Sequence, residues 1–161
     1  MADYTIPAIP IQFKPEGPQQ PIVCRWTLAA DGQVSGTGKV AGILPAGAMI
    51  DATKSRFSVD TAFNGTTAAF NVFLVPISTF SALPASLTAD ATATITNTVI
   101  APGTTGIKYG TAAEVKTAGR NARLSVPCAV VLVYTAGAAD ATTGDGTLVI
   151  EYAHDLNTAI V

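Results

Sequence analysis

The sequence predicts an all-β fold, two antiparallel sheets packed face to face as a sandwich, and three observations predict it. No stretch of the 161 residues sustains an apolar period of 3.6 between helix caps, apart from a short turn between Thr79 and Ser86. About eight apolar runs follow one another instead, with turn residues roughly every 8 to 15 positions. Finally, Val59, Thr61 and Phe63 alternate with Ser58, Asp60 and Ala62, the period of two that a half-buried strand requires.

Residues 1–21 stand apart from this pattern. Pro7, Pro10, Pro15, Pro18 and Pro21 remove backbone donors too often for a helix or a central strand, so this segment is an extended arm. Tyr4, Ile6, Ile9, Ile11 and Phe13 supply apolar anchors that a purely solvated tail would not need, and they point to an arm that docks on a neighbouring subunit. Residues 22–161 form the single β-sandwich domain.

Within the domain, Ile22–Ala30 is the first strand and Gln33–Leu44 the second, joined at Asp31-Gly32. Ile50–Phe63 and Thr66–Val75 are expected to pair as a hairpin, because Asn64-Gly65 tolerates the positive φ angles of a type I′ turn. Pro76–Pro84 interrupts. Leu87–Ile100 then alternates Thr88, Thr92, Thr94, Thr96 and Thr98 with apolar residues until Pro102-Gly103 ends it. Ile107–Tyr109 and Ala113–Lys116 are short strands around Gly110, and Gly119–Ala122 is a turn. Leu124–Thr135 contains Pro127, which implies either an edge strand or a bulge at that point. Gly137–Gly146 is a loop of small residues, and Thr147–Tyr152 is the final strand.

Composition narrows the function classes. Charged residues make up 12% of the chain, about half the share of an ordinary soluble domain, while 48% is hydrophobic and the mean hydropathy is +0.40. No uninterrupted apolar run approaches the roughly 18 residues of a membrane span, so a membrane is not the expected partner. Low charge instead implies that a partner covers part of the apolar surface. Nine Lys plus Arg against eleven Asp plus Glu, a net charge of −2 without blocks, leave no electrostatic footprint for nucleic acid. Met1–Pro7 lacks the basic start and apolar core of a secretory signal, which places synthesis and assembly in a cytoplasm. Cys24 and Cys128 are then small buried thiols; a disulfide between them requires that their strands be neighbours.

Candidate chemistry is sparse. His154 beside Asp155 offers two parts of a triad, yet no serine lies in a Gly-x-Ser-x-Gly elbow. One histidine and two distant cysteines do not make a tetrahedral zinc site. Gly32–Val40 resembles a phosphate loop only until Gln33 and Val40 occupy the positions of its first glycine and its magnesium-binding hydroxyl. Asp140–Gly146 lacks the alternating acids and closing glutamate of a calcium loop. Asn64-Gly65-Thr66 matches a glycosylation acceptor, but the expected turn explains it. Trp26, the single tryptophan, lies in the first strand as a core or interface anchor. No catalytic residue, cofactor or metal is assigned.

The block Ile43–Val75, with its Leu44-Pro45-Ala46-Gly47 approach, and the closing strand Gly146–Tyr152 together resemble small β-rich structural proteins of tailed bacteriophages, notably capsid decoration or cement proteins. The resemblance implies jelly-roll connectivity, with an immunoglobulin-like order as the alternative. It also implies a non-enzymatic virion protein on the capsid exterior, assembled in the host cytoplasm. Its partners would be the major capsid protein and two further copies of itself in a homotrimer. A head-fibre base, a tail protein and a carbohydrate-binding or adhesive β-module are the alternatives.

Overall fold

The computed structural model describes residues 21–31, 38–51, 54–65, 68–79, 93–94, 100, 102–109, 124–135 and 141–154. The arm anchors Tyr4, Ile6, Ile9, Ile11 and Phe13, the expected strand Ala113–Lys116 and most of Leu87–Ile100 lie outside these residues. The described chain is mostly β, as expected, and every strand pairing is antiparallel.

The strands are β1 (Ile22–Thr27), β2 (Gly38–Leu44), β3 (Ala48–Ile50), β4 (Arg56–Thr61), β5 (Ala69–Pro76), β6 (Ala93–Thr94), β7 (Gly106–Tyr109), β8 (Cys128–Thr135), β9 (Asp145–Ile150) and β10 (Tyr152–His154). One four-stranded sheet has the order β1-β9-β4-β7 and a second has β2-β8-β5-β6, while β3 and β10 form a separate two-stranded ribbon. A single helical turn, α1 (Leu28–Asp31), follows β1, so the first strand stops short of Ala30. The Asp31 carboxylate ends it by accepting a hydrogen bond from the Thr27 amide at 2.9 Å.

The expected hairpin across Asn64-Gly65 does not form. β4 pairs with β9 and β7, whereas β5 pairs with β8 and β6 in the other sheet. Gly65 lies outside the left-handed region that a type I′ turn demands. Glycine is required there for a different reason, since a Cβ would stand 2.8 Å from the Ala141 nitrogen. Asn64 is likewise used elsewhere. Its side-chain oxygen accepts from the amides of Thr142 and Thr143 at 2.8 and 3.0 Å, and its amide nitrogen donates to the Thr142 hydroxyl at 2.9 Å. The dipeptide thus ties the loop after β4 to the loop before β9.

Two further expectations are corrected. Pro127 precedes β8 rather than interrupting it, and β8 is a central strand between β2 and β5. The bulge at this pairing falls in the partner, between Val40 and Gly42. The long run Ile50–Phe63 is divided into β3 and β4, because the chain turns at Asp51–Ser55: the Asp51 carbonyl accepts from the Ser55 amide at 3.0 Å. Ser55, fully buried, then bonds both the carbonyl and the amide of Glu151 through its hydroxyl, at 3.3 and 3.1 Å. This clamp holds the residue at which the last predicted strand breaks into β9 and β10. Gly47, with φ of 86°, makes the matching step from β2 to β3. It occupies the third position of a turn closed by the Ala48 amide on the Pro45 carbonyl at 3.2 Å.

The inward residues of both four-stranded sheets belong to one apolar cluster. β1 contributes Cys24 and Trp26, β4 Phe57 and Val59, β9 Leu148 and Ile150, β5 Phe70, Val72 and Leu74, and β8 Val130, Leu132 and Tyr134. Phe70 is its hub. Its ring lies 4.9 Å from Phe57, 5.2 Å from Phe63, 5.3 Å from Tyr134 and 5.4 Å from Trp26, centroid to centroid. Such edge and tilted pairs contribute about 0.5–1.5 kcal/mol each beyond simple burial.

Candidate interaction surface

The outward faces of the two sheets differ in chemistry. On the β1-β9-β4-β7 sheet, one cross-strand row reads Arg25, Thr147, Ser58 and Ile107. Arg25 makes a two-pronged contact with Asp145, from Nε at 3.0 Å and from NH2 to the second carboxylate oxygen. The guanidinium hydrogen bond holds the Asp145 carboxyl below the usual carboxylate range. Val23 and Ile107, on the two edge strands of this sheet, are 58% and 68% exposed.

The corresponding row on the β2-β8-β5-β6 sheet reads Val40, Val131, Phe73 and Thr94. Phe73, Val75, Ala129, Val131 and Val133 form a second apolar cluster, distinct from the first, and Val40 packs against it. Alternation explains the separation: Val130, Leu132 and Tyr134 face the main core while Ala129, Val131 and Val133 face the other way. A strand apolar on both faces must be covered on both.

At the common edge of the two sheets, Lys39 of β2 reaches toward β1. Its ammonium donates to the Asp31 carboxylate at 2.6 Å and to the Arg25 carbonyl at 2.8 Å. The lysine of the phosphate-loop-like segment therefore serves as a tie between strands. Asp145, from the calcium-loop-like segment, is engaged with Arg25. Among the described residues no three His, Cys, Asp or Glu side chains converge on a point. No helix of the described residues is long and apolar enough to cross a membrane.

Trp26 is fully buried in the core, not at a surface, and its indole nitrogen has no acceptor among the described residues. Cys24 and Cys128 are both buried and free, one in each four-stranded sheet, and burial pushes both thiols above their ordinary pKa. His154 is the last residue of β10, level with Ala48 of β3, rather than beyond the final strand. Asp155 lies outside the described residues.

Val126–Tyr134, the longest apolar run of the sequence, reads as a buried strand, and β8 is one; what the sequence reading missed is that its Ala129, Val131 and Val133 join Phe73 and Val75 in a cluster of their own. A signal was present: Val126–Tyr134 and Val72–Val75 lack the polar alternation of Phe57–Thr61. Five of the aromatic residues scattered along the chain, Trp26, Phe57, Phe63, Phe70 and Tyr134, are gathered by the fold inside the core, where these rings offer no platform to a ligand. Comparison with known family models, with curated proteins and with solved structures finds no match to this chain.

Proposed function

We propose that the chain is a structural protein of a tailed-phage particle that decorates the outer surface of the capsid as a trimer, its two four-stranded sheets forming a jelly-roll sandwich. Strand pairing is the observation that carries this reading. Counting only the strands of the two larger sheets, the first pairs with the eighth, the second with the seventh, the third with the sixth and the fourth with the fifth. A long antiparallel ribbon rolled upon itself has this order, and an immunoglobulin-like sandwich does not. Jelly rolls recur in viral capsid and lectin domains, so connectivity alone does not choose between them.

Composition and packing favour the structural role. A charged fraction of 12% suits a protein whose surface is shared with neighbours in a shell. A lectin-like site would need exposed rings, whereas among the described residues Trp26, Phe57, Phe63, Phe70, Phe73 and Tyr134 are buried and Tyr152 is half-buried. A trimer at local three-fold positions of a capsid would repeat one modest contact by symmetry over the shell.

Quantitative mass spectrometry of purified particles tests the reading. A copy number close to that of the major capsid protein is expected. A few copies per particle would indicate a tail or vertex component, and absence from particles would overturn the virion assignment.

A further inference from the structure

The sequence singles out Asn64-Gly65, and the fold gives this dipeptide no hairpin to make. An asparagine followed by glycine is chemically labile, because the unhindered glycine amide nitrogen can attack the side-chain carbonyl carbon of the residue before it. A Cγ–N bond forms, the Cγ–Nδ2 bond breaks, and ammonia leaves with the proton given up by the glycine amide. Water then opens the resulting cyclic imide at one carbonyl or the other, leaving aspartate or isoaspartate. No oxidant, metal or second enzyme is required.

Here both halves of the reacting pair are held in place. The Asn64 side-chain oxygen accepts from the amides of Thr142 and Thr143 at 2.8 and 3.0 Å, and Nδ2, the group that must leave, donates to the Thr142 hydroxyl at 2.9 Å. The Asn64 backbone amide adds a bond to the Thr143 carbonyl at 3.3 Å. Gly65 sits so tightly on the facing loop that an added Cβ would stand 2.8 Å from the Ala141 nitrogen and 2.9 Å from its Cβ. Imide closure needs the Asn64 Cγ to turn its face toward the Gly65 nitrogen and become tetrahedral. A planar amide fixed at both its oxygen and its nitrogen cannot turn without surrendering those bonds. Asn64 is nevertheless exposed, and among the described residues the Gly65 amide donates no hydrogen bond of its own, so water and nucleophile are at hand once the contact opens.

We propose that Asn64 is a self-modifying site gated by this loop contact: it is inert while the contact is closed, and each local opening of residues 62–65 from residues 141–144 exposes it to conversion. The conversion runs one way. Aspartate keeps oxygens for the two threonine amides but loses the donor to Thr142. Isoaspartate carries the main chain through the former side-chain carbon and so lengthens it ahead of Gly65, where even an added Cβ would meet Ala141. A chain converted to isoaspartate does not reclose the contact, and its opening is recorded covalently. The inference stands independently of any capsid.

The full-length chain, folded in mildly alkaline heavy-oxygen water and separately unfolded in urea, tests this when peptide mass spectrometry follows uptake of one heavy oxygen at Asn64. Hydrogen exchange of the Thr142 and Thr143 amides is measured on the folded chain, under conditions where it reports the opening equilibrium. The folded chain is expected to convert at least about ten-fold more slowly than the unfolded one, and the slowing should match the protection of the two amides within about three-fold, because one opening governs both. A folded rate equal to or above the unfolded rate would overturn the proposal and make the two amides an oxyanion hole that speeds closure. Slowing that departs from the amide protection in either direction would also overturn it, since conversion would then not run through this opening. As a second measurement, Thr142→Val, which removes the acceptor of Nδ2, should raise the folded rate several-fold and leave the unfolded rate unchanged. An unaltered folded rate would count against the gate.

Discussion

The row Arg25–Thr147–Ser58–Ile107 and the row Val40–Val131–Phe73 occupy equivalent places on the outward faces of two four-stranded sheets, yet Arg25 and Ile107 are open to water while Val131 and Phe73 are closed to it. Each sheet contributes an inward face to the same core, so the core does not distinguish them. What differs is the second face. On β1 the outward Val23 and Arg25 are exposed, and an ion pair such as Arg25–Asp145 is cheap to maintain there. On β5 and β8 both faces are buried, so each backbone position carries twice the packing consequence. A small domain with one dry outward face must cover it, which is a physical reason for a chain so poor in charge.

The strongest way to break this contrast is to place a charge on each face. Val131→Asp puts a carboxylate where no water reaches, and a loss on the order of 5 kcal/mol is expected, enough to unfold many domains of this size. Ser58→Asp, at the equivalent row of the other sheet, should change stability by no more than about 0.5 kcal/mol. Urea unfolding of the two variants compares them, and equal losses would abolish the distinction.

Truncation should follow the same order at smaller scale. Phe73→Ala is expected to cost about 3–4 kcal/mol, as for a fully enclosed ring, while Val23→Ala on the exposed edge should cost under about 0.5 kcal/mol. A near-neutral Phe73→Ala would mean that nothing packs on that face. Ser55→Ala probes the seam where β9 leaves its sheet for the ribbon, and removing the hydroxyl that satisfies both the amide and the carbonyl of Glu151 should cost about 1–2 kcal/mol. Thermal melts would locate this variant between the dry-face and wet-face changes.

The smallest effect concerns the Arg25–Asp145 pair. Its hydrogen bond lowers the Asp145 pKa in the folded state below that of the unfolded chain. Its contribution is therefore present above the unfolded value, near pH 4, and is lost as pH falls through the lower folded value. The melting-temperature difference between the native chain and Asp145→Asn should shrink as pH is lowered from about 6 to about 2, and also in about 1 M salt. A difference that grew on acidification would show that Arg25 is not the dominant influence on Asp145.

Much of this architecture was legible in the residues. Period-two alternation located β4, and turn residues bounded β1, β2 and β5, because these signals are local: a strand's exposed face is written in its own polar positions. Low charge already implied covered apolar surface. The hairpin expected at Asn64-Gly65 failed for an equally physical reason. A turn signal reports only that φ > 0 is tolerated, and here the loop instead needs glycine for close approach to Ala141 and asparagine to satisfy the amides of Thr142 and Thr143. Those partners are some eighty positions away, beyond any local rule.

By itself, then, the sequence determined a mostly β chain, the inward Val59 and Phe63, and buried Cys24 and Cys128, since periodicity and hydrophobicity act within a strand; Thr61, expected on the same face, is exposed where the pairing with β9 shifts register. Tertiary structure alone decided which strands are neighbours, that Pro127 ends a loop rather than bulging a strand, that Ser55 pins Glu151, and that the second apolar faces of β5 and β8 meet in one cluster. Pairing between strands is a choice among distant segments, settled by the burial of both faces at once, and no single segment encodes that sum.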